Sequence, residues 1–114
     1  MKDAYKAYCQ MATCNGPIIR RNCAFNLPGV AKALGERFAL ELSGLCEFLA
    51  KDMDEEVRYI LAAGIHQSAT LLVPRGNYDR LFGAVCALLE DDNPHVRMNA
   101  LENFHELLSA FVRD

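Results

Sequence analysis

The sequence has no excess of basic charge, no long apolar run and no leader-like start. Twelve lysines and arginines stand against fifteen aspartates and glutamates, for a formal net charge of −3. A general nucleic-acid binder normally carries a basic patch or a high isoelectric point, so that class is disfavoured. No apolar run approaches the roughly 18 residues of a membrane span, and the opening MKDAYKAYCQ lacks a signal peptide's apolar core. We therefore expect a cytoplasmic or nuclear protein that binds neither nucleic acid nor a membrane.

Motifs of catalysis and of cofactor binding are also missing from the sequence. The five cysteines form no CxxC pair, and their odd number does not suit a disulfide framework. They are better interpreted as small apolar residues of a packed core in a reducing compartment. No GxSxG motif, Walker loop or GxGxxG loop occurs. The sequence therefore predicts a protein that is not an enzyme and that needs no cofactor or metal.

What the sequence does contain is an internal repeat. The segment 54–73, DEEVRYILAAGIHQSATLLV, returns as residues 93–112, NPHVRMNALENFHELLSAFV. The Val-Arg pair at 57–58 recurs 39 positions later at 96–97, and a weaker copy begins 38 positions earlier with the Ile-Arg pair at 19–20. A period in this range is the signature of a helical solenoid, in which each unit buries its apolar face only against its neighbours.

Apolar spacing predicts helices throughout and no strand. The first helix is expected over residues 3–13 and the second over 18–34, with Gly35 as its C-terminal cap. Pro28 lies inside the second helix, where it removes a backbone hydrogen bond, so a kink or a break is expected there. No alternating run of β-branched residues persists beyond a few positions, which excludes a regular strand.

Four further helices are expected, and caps mark where they begin. Asp54 and the Asn93-Pro94 pair are typical helix-start signals, and Asn77 can cap the helix that begins at residue 78. The small residues 62–64 in the middle of one helix let a neighbouring helix come close. The expected ranges are about 36–50, 55–73, 78–90 and 94–111. Together the six helices predict an all-α superhelix in one domain, with repeats at about 1–35, 36–75 and 77–113.

These features resemble a HEAT-repeat protein. A turn aspartate, a Val-Arg pair at the start of the inner helix and small or apolar residues after it occur in DMDEEVRYILAAGIHQ and in DDNPHVRMNALENFHE. Within that class, RRNCAFNLPGV, EEVRYILAAGIHQSATLL and LLEDDNPHVRMNAL resemble scaffold and regulatory subunits of protein phosphatases 2A and 4, with the regulatory subunit 4 type of phosphatase 4 as the nearest likeness. Such scaffolds are much longer, so the resemblance implies a fragment. The first repeat departs from the pattern, with Asn-Gly-Pro in place of an acidic turn.

The resemblance also implies a protein-binding edge along the turns. The residues of this sequence that fall on it are Asp52, Asp54, Glu55, Arg58, Asp91, Asp92, His95 and Arg97. In HEAT stacks the arginine pairs with turn aspartates, which here means Arg58 with Asp52 or Asp91, and Arg97 with Asp91. Partly exposed ion pairs contribute only about 0–1 kcal/mol each, so the expected role is the register between repeats. Contact with a partner is the alternative role.

The histidines and the acidic turns also allow other chemistry. His66 and His105 occupy equivalent positions, but a metal site needs three or four ligands, so we interpret them as histidines of a helix–helix seam. A seam histidine would bond a backbone carbonyl or a water molecule. The carboxylates of the turns invite a general acid–base role, but helix capping already accounts for aspartates at these places.

The sequence is therefore interpreted as a non-catalytic scaffold or regulatory module, with a serine/threonine phosphatase catalytic subunit as its partner. An alternative is a module of the TOG or transport-factor kind that binds tubulin or cargo. The acidic turns and the lack of tryptophan disfavour that alternative. A metal-dependent lyase or hydroxylase of HEAT type would need His-Glu pairs in successive repeats, and only His105-Glu106 supplies one.

Overall fold

The computed structural model describes residues 2–75 and 78–112, and within these ranges helices are joined by short turns. The elements are α1 Lys2–Ala12, α2 Pro17–Ala50, α3 Glu55–Leu72, a 3₁₀ turn Val73–Arg75, α4 Tyr78–Leu89, α5 Pro94–Glu102 and α6 Phe104–Phe111. No strand occurs in the described ranges, so the all-α prediction is confirmed. Among the described helices, none combines the length and the apolar character that crossing a bilayer requires.

The helices form a layered stack. α1 packs on α2, α2 packs on α3 and α4, and α3 packs in turn on α5 and α6. The molecule measures 34 × 33 × 18 Å, and its short dimension matches two layers of helices, since packed helix axes lie about 8–10 Å apart. The expected α-α superhelix is therefore confirmed.

Helix α2 departs from the prediction. It is helical through Pro28 and Gly35, and its one residue with non-helical angles is Phe38, at φ −119° and ψ 30°. The kink or break expected at Pro28 is therefore wrong in position, and the cap expected at Gly35 is wrong. The bend comes where the Phe38 ring stacks on Tyr5 of α1, with ring centroids 4.3 Å apart. This contact between distant parts of the chain therefore lies at the bend near which the second and third expected helices join.

Two glycines allow close approach between α2 and α3. A Cβ added to Gly64 would lie 3.1 Å from Cγ of Pro28, and one added to Gly35 would lie 3.1 Å from a methyl carbon of Leu72. Gly35 is buried and helical, so it serves as a close-packing position instead of a cap. The expectation that the small segment around Gly64 admits a neighbouring helix is confirmed, and the neighbour is the proline ring of α2.

The last predicted helix is two helices. Asn103, at φ −113° and ψ 35°, ends α5 and precedes α6, so the single helix expected over 94–111 is wrong. Asparagine favours such interruptions because its side chain competes for backbone hydrogen bonds. The predicted caps do occur: Asp54 accepts from the backbone N–H of Glu56, and Asn93 accepts from that of His95 at 2.8 Å. The predicted cap Asn77 lies outside the described residues.

The cysteines pack as the sequence predicts. All five are free thiols, with Cys23 and Cys46 buried and the other three half-buried. Burial raises the pKa of the Cys46 thiol to about 12, which keeps it neutral and unreactive at physiological pH. The carbonyl oxygen of Cys23 accepts a 2.6 Å hydrogen bond from the hydroxyl of Tyr8, which fixes α1 to α2. Cys23 and Cys46 therefore belong to the core, and Cys9 packs against it.

Replacing Gly29 with alanine is expected to stabilise the protein. An added Cβ at Gly29 meets no atom within 4 Å, and alanine is favoured over glycine in a helix by about 1 kcal/mol. The melting temperature should rise by about 4 °C in thermal denaturation followed by circular dichroism. Gly64→Ala is the matched control, since its Cβ would crowd Pro28 and should give a smaller gain or a loss. Equal gains at both positions would contradict the packing described for α3.

Candidate protein-binding site

Three arginines at the starts of successive inner helices make the same contact. Arg20, Arg58 and Arg97 each donate Nη1 to the carbonyl oxygen of the residue six positions earlier. We call these three residues the arginine ladder. The accepting carbonyls belong to Cys14, Asp52 and Asp91, at 2.8, 2.6 and 2.5 Å. Each arginine therefore ties its helix to the turn that precedes it.

Two members of the ladder also reach the turn of the following unit. Arg20 donates Nε and Nη2 to the two carboxylate oxygens of Asp52, at 2.9 and 3.1 Å. Arg58 does the same to Asp91, at 2.7 and 3.3 Å. Two parallel charge-assisted bonds fix both distance and orientation. One guanidinium therefore bridges two successive turns.

The sequence predicts the arginine ladder only in part. Of the two aspartates considered for Arg58, the structure selects Asp91 for the ion pair, and Asp52 offers only its backbone oxygen. Arg97 contacts Asp91 through the backbone carbonyl and not through the carboxylate that was expected. The pair of Arg20 with Asp52 was missed, although the alignment of the Ile-Arg pair 19–20 with the later Val-Arg pairs carried the signal.

The side chains of Asp52 and Asp91 are buried beneath the acidic turns. They are 8% and 9% exposed, and each accepts a further 2.9 Å bond from a backbone N–H two residues later. Desolvation raises the pKa of Asp91, but the hydrogen bonds from Arg58 and from the Asn93 backbone outweigh it and leave the pKa lowered. These two carboxylates are therefore engaged within the protein and present little surface to a partner.

Asp54 has two roles at the start of α3. It accepts from the Glu56 backbone as the helix cap, and it receives Nε and Nη2 of Arg21 at 2.7 and 3.2 Å. The hydrogen bond from Arg21 is the main cause that lowers the pKa of Asp54. This third bidentate pair lies beside the one formed by Arg20, and it was not predicted from the sequence. Two adjacent arginines of α2 thus hold the first acidic turn.

Acid should loosen the fold through these carboxylates. Folding lowers the pKa values of Asp54 and Asp91. Their contribution to stability is therefore fully present above the unfolded pKa of about 4, and it is lost as the pH falls through the folded pKa values. We expect the melting temperature to drop between about pH 4 and pH 2. Asp54→Asn keeps a good cap but loses the charge, so its melting temperature should fall less over that window. A variant whose melting temperature falls as steeply as the parent's would contradict the assignment.

The remaining predicted residues are exposed. Glu55 accepts a 3.0 Å bond from the Asn93 side chain, which joins the two acidic turns, while the carboxylate of Asp92 and the ring of His95 face solvent. Two exposed neighbours were not singled out from sequence: Glu56, and Met53 with 97% exposure. We call the exposed set the turn edge; its members are Met53, Glu55, Glu56, Asp92 and His95. The turn edge is acidic, and Met53 is its one apolar side chain, exposed to solvent.

The two equivalent histidines lie in different environments. His66 is buried, and its Nε2 lies 3.8 Å from a carboxylate oxygen of Glu106, whereas His105 is exposed. The carboxylate of Glu106 therefore lies beside the imidazole of His66. No cluster of three or more metal-binding side chains occurs among residues 2–75 and 78–112. The pair His105-Glu106 thus stands without further ligands in the part of the chain that the structure describes.

Comparison with known proteins places the repeat in a family. The model of the HEAT repeat matches residues 81–111, which cover most of α4, α5 and α6. Serine/threonine-protein phosphatase 4 regulatory subunit 1 of Homo sapiens and that of Mus musculus are each 36% identical to the chain over 96 residues. The match covers 84% of the chain and 10% of each relative, so the chain spans about a tenth of the length of the curated relatives it matches.

No solved structure gave a significant match. The relatives found are of the subunit 1 type, whereas the sequence features had suggested subunit 4. Residues 81–111 of the chain are a HEAT repeat, and over most of its length the chain resembles a segment of phosphatase 4 regulatory subunit 1.

Proposed function

We propose that the chain is a non-catalytic binding module, one domain of three repeats, that serves the scaffold or regulatory part of a serine/threonine phosphatase complex. The observation that carries the proposal is the 36% identity to phosphatase 4 regulatory subunit 1 over 84% of the chain. A module of this kind acts by holding other proteins at fixed positions. The proposed setting is the cytoplasm or the nucleus.

The turn edge is the proposed contact surface. The ladder beneath it keeps the acidic turns at a fixed spacing, so the exposed carboxylates of Glu55 and Asp92 are presented on a rigid base. Exposed charges at the rim of an interface chiefly set orientation and association rate, whereas an apolar side chain such as Met53 can fill a pocket on the partner. The partner surface that suits this edge is basic and carries an apolar depression.

Binding of the purified chain to recombinant phosphatase 4 catalytic subunit, measured by biolayer interferometry, tests the proposal. The double substitution Glu55→Lys and Asp92→Lys should raise Kd by about tenfold or more at low salt, because attraction becomes repulsion. Asp91 and Asp52 are unsuitable for charge reversal, since both are buried in ion pairs and their loss would unfold the edge.

Glu36→Lys with Glu41→Lys is the matched control, with the same charge change on exposed positions of α2. Glu36 lies roughly 20 Å along the helix from the turn that follows α2, at 1.5 Å per residue. The control should bind as the parent does, and melting curves should show that both doubles are folded at the temperature of the binding assay. A parent chain that does not bind the catalytic subunit would rule out this partner. Equal weakening by both doubles would remove the turn edge from the interface.

A further inference from the structure

Three inner helices carry large apolar side chains on a flank of the stack that is open to solvent. Phe25 of α2, Tyr59 of α3 and Met98 of α5 are 72%, 39% and 66% exposed. The three helices are neighbours, since α2 packs on α3 and α3 packs on α5. Because α3 has its packing partners on both sides, Tyr59 lies on the flank of the stack and not at one of its ends.

Two hollows lie between these side chains. The first, of about 400 Å³, lies between α2 and α3, and its lining includes Phe25, Pro28, Tyr59, Gly64 and Gln67. The second, of about 560 Å³, lies between α3 and α5, and its lining includes Tyr59, Met98, Asn99 and Glu102. Tyr59 borders both hollows, so they form one continuous depression across three helices. We call the two hollows together the inner groove.

The spacing of the two hollows matches one regular conformation of a peptide. Packed helix axes lie about 8–10 Å apart, so depressions between successive helices repeat at about that distance. A polyproline II helix has three residues per turn and rises about 3.1 Å per residue, so it repeats about every 9 Å. Side chains on one face of a β-strand repeat about every 7 Å, and a turn of α-helix rises about 5.4 Å. A polyproline II segment across the helices therefore places every third residue in a successive hollow.

The polar groups of the inner groove suit the same kind of segment. No hydrogen bond in the described part of the chain engages the Tyr59 hydroxyl or the side-chain amide of Gln67, and both side chains are exposed. Each of these groups can donate a hydrogen bond. Proline has no N–H, so a proline-rich segment displays carbonyl acceptors and few donors. Aromatic-lined grooves are the usual receptors for such segments.

The charge of the inner groove is negative. Glu102 lines the second hollow, and no lysine or arginine of the described residues lines either hollow. The carboxylate of Glu102 is exposed and forms no ion pair within residues 2–75 and 78–112. A cation on the bound segment would therefore meet a carboxylate that is free to pair with it.

We propose that the inner groove binds a proline-rich segment of another protein in the polyproline II conformation. Apolar residues at every third position enter the two hollows, and a basic residue pairs with Glu102. The Tyr59 hydroxyl and the Gln67 amide donate to carbonyl oxygens of the segment. This proposal does not depend on the phosphatase partner, because it concerns a different surface and a different class of ligand.

Fluorescence polarisation of labelled ten-residue peptides on the purified chain tests the proposal. Two probes repeat Leu-Pro-Pro three times and carry one arginine, at the C-terminal end in one and at the N-terminal end in the other, so that both directions of binding are sampled. A third probe type has glutamate in place of the arginine. A fourth has alanine in place of every proline, which favours an α-helix. At least one arginine probe should bind with a Kd below about 1 mM, and its glutamate counterpart should bind at least about threefold more weakly.

Substitutions in the inner groove should weaken the probe that binds. Phe25→Ala and Tyr59→Ala should each raise its Kd by about fivefold or more, because each removes an aromatic wall. Tyr59→Phe should have a smaller effect, since it removes only the hydroxyl donor. Glu102→Gln should weaken the arginine probe without weakening the glutamate probe. Phe48→Ala is the matched control and should leave Kd unchanged, because Phe48 is a 51% exposed ring of α2 that lines neither hollow.

Failure of both arginine probes to bind would overturn the proposal, as would an equal loss of affinity in Phe48→Ala. Tighter binding of the alanine probe than of its proline parent would assign the inner groove to a helical ligand and overturn it as well. A glutamate probe that binds as tightly as the arginine probe would contradict the pairing with Glu102. None of these outcomes bears on binding of the phosphatase catalytic subunit, so the two proposals can fail separately.

Discussion

Replacing Asp91 with alanine is expected to lower the free energy of unfolding by about 3 kcal/mol. Both partners of its ion pair are largely buried, with side-chain exposures of 18% for Arg58 and 6% for Asp91. Removing the carboxylate leaves the guanidinium buried without a counter-charge, and it also removes the acceptor for the Asn93 backbone N–H. Breaking a buried pair costs far more than an exposed pair contributes, because the remaining charge has no solvent to replace its partner.

The neighbouring residue provides the control. The side chain of Asp92 is exposed, so Asp92→Ala should change the free energy of unfolding by less than about 0.5 kcal/mol. Urea denaturation of the two variants beside the parent measures both values. Similar losses in the free energy of unfolding for the two variants would show that the difference in burial does not affect stability. The ladder would then not determine stability.

Replacing Leu49 with alanine is expected to lower the free energy of unfolding by about 3 kcal/mol. Leu49 is fully buried near the end of α2, and 39 positions later Leu88 is fully buried in α4. Removing three carbons from such a position loses their transfer free energy and leaves a cavity that the surrounding helices fill only in part. A variant at Leu88 should show a loss of similar size, because the two residues occupy equivalent places in successive units.

Leu40→Ala is the matched control on the same helix. Leu40 is 59% exposed, so its truncation should cost less than about 0.5 kcal/mol. Chemical denaturation with a common slope for all variants gives the comparison. A large loss at Leu40 and a small one at Leu49 would mean that the inward and outward faces of α2 had been exchanged.

The parts of the fold that depend on local chemistry could be predicted from sequence. The caps at Asp54 and Asn93 and the core periodicity needed only nearby residues, and the structure has them as expected. The bend in α2 could not be found that way. Pro28 stays helical with its ring packed close to Gly64, and the bend lies at Phe38, whose ring stacks on Tyr5. Both effects come from residues more than thirty positions away.

The candidate site, too, could be predicted from the sequence only in part. The repeat of Val-Arg pairs located the ladder, but sequence does not show which carboxylates lie beneath the surface. Asp91 and Asp92 are adjacent and chemically alike, yet one is 9% exposed and the other faces solvent. The difference arises because the side chain of Asp91 points toward α3, where it accepts hydrogen bonds from Arg58. Burial of this kind follows from how units stack, and it becomes visible only with the coordinates.

The bridging arginines have a mechanical consequence for the stack. Arg20 and Arg58 each bind the turn before them and the turn after them, so the spacing between successive turns is held constant on the ladder side of the molecule. A stack of helices whose turns are held at a fixed spacing on one side bends by changing the spacing of the helix ends on the other side. Flexing of this protein should therefore leave the distances between acidic turns nearly constant, while the far ends of the helices fan apart.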